Sequence, residues 1–303
     1  MSTSELLSRV DCHFHLWDLE LNDYPWLAKD AKRPRHLFPD LSSIASSYRI
    51  EDFRRDCARW NVVKSVHING GFNPADPVGE TRYLQGVADR SGHPHGIVAY
   101  ADLCSEELDA QLAAHRQFAN LRGIRHIVNW HADPSKTFVE RSDLLNDDAW
   151  NKGFSRLQSY GLSFDLQLYP SQMSDAVALA RRFSETLIIV NHCGMPLERE
   201  AQGLTQWRDG MQALAHCPNV VLKISGLGMV DQSWTTETIR PFVLDALSWF
   251  GTERTMFASN FPVDKLYSSY DELYSAFDAL TSELGEEARR DVFGRNAEKY
   301  YRI

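Results

Sequence analysis

The chain has 303 residues, of which 43% are hydrophobic and 24% charged, and its formal net charge is −9. These values exclude disordered, collagen-like and fibrous classes, and they leave room for one large α/β barrel or for two ordinary domains. The acidic balance, without any block of Lys and Arg, argues against nucleic acid or an anionic membrane as the main partner.

Strands and helices alternate along the chain. Short apolar or β-branched runs predict eight strands, at Ser8–His15, Val62–Asn69, Gly96–Leu103, Leu121–Val128, Leu162–Tyr169, Thr186–His192, Val220–Ser225 and Arg254–Asn260. Longer stretches between them predict helices, at Asp52–Trp60, Glu80–Arg90, Ser105–Ala119, Asp147–Tyr160, Ser171–Phe183, Leu204–His216, Thr236–Phe250 and Ser269–Ser282. Eight such βα units in about 300 residues predict a parallel, closed (β/α)₈ TIM barrel, with residues 1–303 as a single domain.

Two long loops stand out, Trp17–Asp40 and Asn129–Asn146. Both follow predicted strands, on the face where barrel active sites are built, and loops of this length are usually functional. Their aromatic residues are candidates for the mouth of a pocket, and Trp17 and Trp130 are expected to contact substrate. The first strand is not followed by G-x-G-x-x-G, so a dinucleotide-binding unit is not indicated.

Five scattered cysteines, none in C-x-x-C spacing, argue against a disulfide framework and against a cysteine-based zinc site. No apolar run approaches the roughly 18–20 residues that a membrane helix needs. The first ten residues, MSTSELLSRV, lack the apolar core of a signal peptide. These features together predict a soluble cytoplasmic protein with reduced thiols.

Polar residues recur on one face of the predicted strands, because positions i and i+2 share a face. They are His13 and His15 in the first strand, Ser65, His67 and Asn69 in the second, Arg125 in the fourth, Asp165 and Gln167 in the fifth, His192 in the sixth, Lys223 and Ser225 in the seventh, and Asn260 in the eighth. The apolar face is expected to meet the helices, so the polar face should turn into the barrel. Buried charges there need partners, water or a ligand. Polar groups converging from most strands therefore predict an active site.

Several motifs resemble a known family. The segments Val10–Trp17 (VDCHFHLW) and Tyr24–Leu27 (YPWL) resemble the start of the amidohydrolase-related (amidohydrolase family 2) proteins. The closer resemblance is to their lactonase branch, which includes fuconolactonases and 2-pyrone-4,6-dicarboxylate lactonase. Further matches follow in strand order, at Leu121–Arg125, Phe164–Gln167, Asn191–Pro196, Lys223–Gly226, Phe257–Asp264 and Asn296–Tyr301. The resemblance spans almost the whole chain and implies a distorted TIM barrel that hydrolyses a small cyclic ester.

Two departures from the family pattern matter, one for the general base of strand eight, because a neutral amide cannot take a proton from water, and one for the metal. The family usually has Asp in strand eight, where this chain has Asn260, and a mononuclear metal site adds a histidine from strand five, where this chain has Asp165 and Gln167. His13 and His15 alone supply two ligands, whereas catalytic zinc normally takes three protein ligands and a water. The expectation is therefore that no metal is essential, which the resemblance allows. The alternative is one divalent metal, most simply zinc, held by His13, His15 and His192.

The expected proton-transfer groups surround Asn260. Lactone hydrolysis needs a base for the attacking water and an acid for the leaving alkoxide. His192 is the candidate base or acid, because imidazole titrates near neutral pH. Asp264, four residues beyond Asn260, is expected either to replace the missing base or to orient His192. Asn260 is then left to hold the water or the substrate.

The remaining candidates are binding groups. Arg125 and Lys223 are expected to bind a substrate carboxylate or the oxyanion. His13 and His15 are expected to polarise the carbonyl, directly or through a metal. The other predicted substrate contacts are Asn69, Gln167, Trp17 and Trp130.

Two other functions remain open at this stage. The resemblance also covers metal-dependent decarboxylases, which share the superfamily fold and need a firm metal site. A non-catalytic binder of small molecules is the second alternative, because Asn260 takes the place of a catalytic carboxylate. Assembly into a homo-oligomer is compatible with either function.

Overall fold

The computed structural model describes residues 7–303. Its eight strands form one parallel sheet in chain order, and they are β1 (Arg9–Phe14), β2 (Val62–Ile68), β3 (Gly96–Tyr100), β4 (Leu121–Arg125), β5 (Ser163–Leu166), β6 (Ile188–Val190), β7 (Val220–Ile224) and β8 (Thr255–Phe257). The sheet closes beyond β8, where the amide of Asn260 donates to the carbonyl of His13 and that of His15 to Phe261, each at 2.7 Å. The predicted (β/α)₈ barrel is therefore confirmed.

Helices follow the strands around the outside of the barrel. They are α1 (Ile50–Asp56), α2 (Gly79–Ser91), α3 (Leu108–His115), α4 (Asp148–Ser159), α5 (Met173–Arg182), α6 (Ala201–Ala215), α7 (Leu227–Val230), α8 (Thr236–Phe250), α9 (Tyr270–Leu280), α10 (Glu286–Arg290) and α11 (Asn296–Tyr301). Side-chain caps start several of them. Ser269, for example, accepts from the amide of Glu272 at the start of α9. Across residues 7–303, every helix is too short or too polar to cross a membrane.

The lower half of the barrel, where the strands begin, is packed with apolar side chains. Each strand except β4 and β5 contributes to this interior cluster, and α11 adds Ala297 and Tyr301 from below; the strand and strand-end members are Val10, Cys12, Val66, Ile68, Val98, Ile189, Val221, Met256 and Ala258. A second, larger cluster fills the space between the strands and the helices. The barrel is therefore closed at its lower end by its own side chains and by α11.

A buried ion pair lies above that apolar layer. Lys223 of β7 pairs with Asp165 of β5, and neither side chain is exposed to solvent. The hydroxyl of Tyr301 also donates to Asp165, at 2.9 Å. The carboxylate thus has partners from two sides, as a buried charge requires.

The prediction that polar side chains turn into the barrel is wrong for β2. Val66 and Ile68 belong to the interior cluster. His67 instead packs against Phe14 in the outer layer, with ring centroids 5.8 Å apart, and the hydroxyl of Ser65 lies 2.9 Å from Nδ1 of His93. The strand ends at Ile68, so Asn69 reaches the cavity without sharing the face of His67.

The first strand departs from strict alternation. Its register shifts between Asp11 and Phe14. Asp11 faces outward, where it accepts from Ser259 and Tyr270, while Cys12 joins the interior cluster. Because of the shift, the ring of His13 also lies inside the barrel, in contact with the ring of His192. An irregularity of this kind re-aims a side chain next to a site.

Candidate active site

A cavity of about 800 Å³ opens at the carboxyl ends of the strands. Six of the predicted site residues line it, namely His15, Asn69, Arg125, Gln167, His192 and Asn260. The two long loops supply much of the wall, including Trp26, Phe38 and Phe138. This position and volume are those of an enzyme site in a (β/α)₈ barrel.

The strands end earlier than predicted, and their polar ends form the floor of the cavity. β6 ends at Val190 and β8 at Phe257, whereas the sequence patterns continue to His192 and Asn260. Both of these residues have left-handed backbone conformations, with φ of 55° and 58°. The chain therefore leaves the sheet ladder at these points and turns the two side chains toward the cavity.

Three histidines meet on this floor. The ring centroid of His13 lies 5.2 Å from that of His15 and 4.5 Å from that of His192. Burial lowers the pKa of all three, and the positive charges of Arg125 and Lys223 add to the effect. For His15 the pKa falls to about 3. All three rings are therefore neutral at physiological pH.

His15 is held between a peptide carbonyl and an amide. Its Nδ1 lies 2.7 Å from the carbonyl oxygen of Ile68, and its Nε2 lies 3.2 Å from Oδ1 of Asn260. A neutral ring has one proton, and the shorter contact to the carbonyl places it on Nδ1. Nε2 of His15 then carries a lone pair. Two hydrogen-bond acceptors, Nε2 of His15 and Oδ1 of Asn260, therefore lie side by side at the cavity.

Asp264 fixes the orientation of Asn260. Nδ2 of Asn260 donates to Oδ1 of Asp264 at 2.9 Å, which turns the amide oxygen toward His15. Burial raises the pKa of Asp264 to about 7, although the hydrogen bond from Asn260 opposes the shift. Asp264 does not line the cavity, and it contacts the floor through the amide of Asn260 and the backbone of Gly226.

The expectation that Asp264 orients His192 is not met, since Ser225 occupies that place. Nδ1 of His192 lies 3.0 Å from the hydroxyl of Ser225. Gly226 follows with φ of 61°, and a Cβ at this glycine would overlap Nδ1 of His192. The β7 end therefore approaches the imidazole as closely as a glycine permits.

Arg125 is a buried cation that forms no salt bridge with a carboxylate within residues 7–303, although the charges of Asp165 and Glu80 act on it. Its guanidinium donates to the carbonyl of Asn69 and, at 3.1 Å, to Oε1 of Gln167. Its Nε has no partner among the described residues. Burial lowers the pKa of Arg125 to about 10, so the group stays charged at neutral pH. A charge placed in this way favours an anion in the cavity.

Glu80 supports this wall from behind. It accepts from Nδ2 of Asn69 at 3.0 Å and from the amide of Gly70 at 2.8 Å. Burial raises its pKa to about 7. Nothing in the sequence pattern pointed to Glu80, because it begins a helix rather than ending a strand.

Three predicted substrate contacts need correction. Lys223 lies below the floor in its ion pair with Asp165 and does not reach the cavity. Trp17 is fully buried, and its Nε1 donates to the carbonyl of Ser46 at 2.8 Å. Trp130 also stands outside the lining, whereas Trp26 of the first long loop lines it. His13 lies behind His15 and His192 rather than on the cavity wall.

Sequence reasoning missed a set of charged residues at the mouth. The first long loop contributes Lys32, Arg33 and Arg35 to the cavity wall, together with Asp30, and the second contributes Glu140. The run Lys32-Arg33-Pro34-Arg35 was the available signal, but only its position in the fold shows that it faces the site.

The fold and the floor define a (β/α)₈ hydrolase-type site, and the whole-chain comparison agrees. Residues 10–303 match the amidohydrolase family model, and the chain belongs to this family. It is 48% identical to the uncharacterized protein y4mH of Sinorhizobium fredii, over 97% of this chain and 98% of that protein. It is 28% identical to an L-fucono-1,5-lactonase of Burkholderia ambifaria, over 97% of this chain and 96% of that enzyme.

A solved amidohydrolase of Burkholderia multivorans has the same fold. Two of its crystal forms superpose with TM-scores of 0.82 and 0.81, at 26% and 25% identity, and each match covers 97% of this chain and 99% of that one. One of these crystal forms contains bound zinc.

The floor of this chain does not match a zinc site. Within residues 7–303, no group of three or more His, Cys, Asp or Glu side chains is arranged to hold a metal. Both ring nitrogens of His13 lack a partner, and the contacts at Nδ1 of His15 and of His192 leave Nε2 as the ligand atom of those two rings. Asn260 offers a neutral amide where a carboxylate ligand would bind more strongly. The three histidines lie close together, but within residues 7–303 their ring nitrogens are not arranged as a metal-ligand group.

Proposed function

We propose that this protein hydrolyses lactones by attack of water on the ring carbonyl. The observation that carries the proposal is the pair of acceptors on the cavity floor, Nε2 of His15 and Oδ1 of Asn260, 3.2 Å apart. The similarity to L-fucono-1,5-lactonases, at 28% identity, supports the same reaction class.

The acceptor pair positions the nucleophile. A water molecule at this point donates one hydrogen to Nε2 of His15 and the other to Oδ1 of Asn260. Its lone pairs then face the cavity, where the lactone carbonyl lies. Holding the water in this geometry removes much of the entropic cost of the attack.

Arg125 stabilises the oxyanion. Negative charge accumulates on the carbonyl oxygen as water adds, and a fixed guanidinium in a site with little water stabilises it strongly. The charge of Arg125 is also, after burial, the main cause of the low pKa of His15. Partial neutralisation of Arg125 by the oxyanion therefore raises the pKa of His15, so the imidazole accepts the water proton as the intermediate forms.

Ring opening returns that proton. When the tetrahedral intermediate collapses, the bond between the carbonyl carbon and the ring oxygen breaks, and the leaving alkoxide takes the proton from His15. His192, which lines the same floor, supplies a hydrogen-bonding partner for the ring oxygen. The product is the open-chain hydroxy acid, and the protein returns to its starting protonation state.

Hydrolysis of a lactone panel tests the proposal directly. We expect ring opening of at least one class, measured by acid release, and a loss in kcat of about 10²–10⁴-fold in His15→Gln. The control is His216→Gln, an exposed histidine of similar chemistry just beyond the end of α6, which should keep wild-type rates. A wild type that binds lactones without opening any of them would make the protein a binder and refute the proposal.

Metal removal gives a separate prediction. Because the floor lacks a three-ligand set, we expect turnover to survive dialysis against a chelator. Metal content and rate are measured on the same sample before and after dialysis. A rate that disappears with the metal and returns with zinc would contradict this expectation and favour the metal-dependent chemistry of the decarboxylases.

A further inference from the structure

The mouth of the cavity is lined by cations from one loop. Lys32, Arg33 and Arg35 line the wall above the floor, where Arg125 adds a fourth positive charge. The carboxylates on the wall are Asp30 and Glu140, both exposed. The cavity therefore has a positive excess, although the chain as a whole has a net charge of −9.

Lys32, Arg33 and Arg35 are not neutralised by salt bridges to other described residues. In the part of the chain that the structure describes, none of the three loop cations forms a salt bridge, whereas other surface arginines such as Arg59 and Arg156 do. Arg33 is partly held, since its Nε donates to the carbonyl of Phe38 at 3.3 Å. Lys32 and Arg35 are exposed and have no side-chain partner within the described residues.

The loop that carries them is anchored. The amide of His36 donates to the carbonyl of Ser135 in the second long loop, at 2.8 Å. Leu37 and Phe38 are buried, and the ring of Phe38 packs on that of Phe138 with centroids 6.1 Å apart. The cationic side chains therefore start from a fixed backbone at the rim, where they can hold a charged group of a bound molecule.

We propose that the substrate is an anionic lactone, whose carboxylate is held at the rim by Lys32 and Arg35 while its ring carbonyl meets the floor. This inference rests on the proposed lactonase function, because it assigns Arg125 to the oxyanion and leaves the rim cations for a second, permanent charge. A neutral sugar lactone would leave that cluster unmatched. The positive mouth also attracts an anion from a distance, in spite of the negative charge of the whole protein.

A pair of lactones that differ only in charge tests the inference. D-glucono-1,4-lactone ends in a hydroxymethyl group, and D-glucaro-1,4-lactone ends in a carboxylate at the same position. We expect kcat/KM to favour the glucarolactone by about tenfold or more at low salt, and the preference to shrink as ionic strength rises. Equilibrium binding by calorimetry is measured with the same pair, so that charge preference is read without turnover.

The variants Lys32→Gln and Arg35→Gln locate the carboxylate. We expect each to lower the ratio of the two kcat/KM values by about three- to tenfold, and the double variant to lower it further. The control is Lys299→Gln, which removes the same charge from an exposed position on α11, at the lower end of the barrel. It should leave the ratio unchanged.

The outcomes separate the two proposals. Equal or better use of the neutral lactone, with a ratio insensitive to both rim variants, overturns the anionic substrate and leaves lactone hydrolysis standing. Preferential binding of the anionic lactone that the rim variants abolish, without ring opening of either compound, supports the rim site and overturns the hydrolysis. No binding and no turnover of either lactone, together with no ring opening across the lactone panel, overturns both.

Discussion

Asn260 and Asp264, just beyond β8, form a hydrogen-bonded pair of an amide and a carboxyl group. The amide lies on the cavity floor beside His15, and the carboxylate lies behind it with a pKa of about 7. The carboxyl group thereby stays outside the cavity lining. The orientation of the amide still depends on the state of that carboxylate.

A pH profile of Asp264→Asn tests this dependence. When Asp264 is ionised it accepts from Nδ2 of Asn260 and holds Oδ1 toward the water site, so we expect the wild-type kcat to rise as pH passes through about 7. The variant cannot titrate there and should lose that inflection while keeping a folded structure. Rates from pH 5 to 9 on the best lactone provide the measurement. Asp209→Asn, an exposed exchange on α6, is the control, and an inflection that persists in Asp264→Asn would refute the assignment.

The same group predicts a stability difference. Folding raises the pKa of Asp264 from 3.8 to about 7, so between these values the folded protein keeps a proton that the unfolded chain has lost. This contribution to stability is present at low pH and disappears as pH rises to about 7. The melting temperature of Asp264→Asn, relative to wild type, should therefore increase from pH 4.5 to 7.5. Comparing the two proteins at each pH cancels the opposite contributions of the buried histidines, and a constant difference would contradict the raised pKa.

Residue types predicted much of the floor but not its pairing. Polar side chains at strand ends pointed correctly to His15, Arg125 and His192 as cavity residues. The sequence could not show that Asp165 pairs with Lys223, because the choice depends on the relative heights of side chains from different strands. The height of each side chain along the barrel axis follows from the register of neighbouring strands, which the sequence of one strand does not determine.

At the scale of elements, the places where the strands end decide more about the cavity than the strands themselves do. The eight βα units were predictable because apolar runs and amphipathic stretches alternate, and the ladder confirms the order of the strands. The inward or outward direction was predictable only while strict alternation holds. It fails at the register shift in β1, and it fails within β2, where alternation is regular but the apolar face rather than the polar face turns into the barrel.

Gly226 gives an element-scale prediction, because it joins the end of β7 to α7 beside His192. We expect Gly226→Ala to lower the free energy of unfolding by about 1–2 kcal/mol because of the left-handed backbone alone. The new Cβ would also overlap the imidazole of His192 and displace it. The fall in kcat should therefore be larger than the loss of stability alone would explain. The control is Gly285→Ala, where a Cβ would meet nothing within 4 Å and φ is −60°. Melting temperature and kcat are measured for both, and a fully active Gly226→Ala would show that the position of His192 does not matter.

For the whole molecule, we expect the buried ion pair of Lys223 and Asp165 to be the contact whose disruption lowers stability most. Lys223→Met leaves Asp165 as an uncompensated charge in the barrel interior, so we expect a loss of about 3–5 kcal/mol in the free energy of unfolding. Removing both charges, in Lys223→Met with Asp165→Asn, should recover a large part of it. Lys265→Met, which breaks a partly exposed pair with Asp56, should cost only about 0–1 kcal/mol. Denaturant unfolding distinguishes these values, and equal losses in the two single variants would contradict a dry barrel interior.

The packed lower half of the barrel determines how a ligand enters and leaves the site. Apolar side chains and Tyr301 fill the space below the ion pair, so among the described residues the cavity opens on the side of the long loops. A ligand that enters through the cationic mouth has to leave by the same way, past the same positive charges. Ring opening adds a second carboxylate to an anionic substrate, so the departing product is held more strongly than the arriving lactone. If the proposed anionic lactone is the substrate, we expect product release rather than bond breaking to limit turnover, and accumulated product to compete with fresh substrate for the same opening.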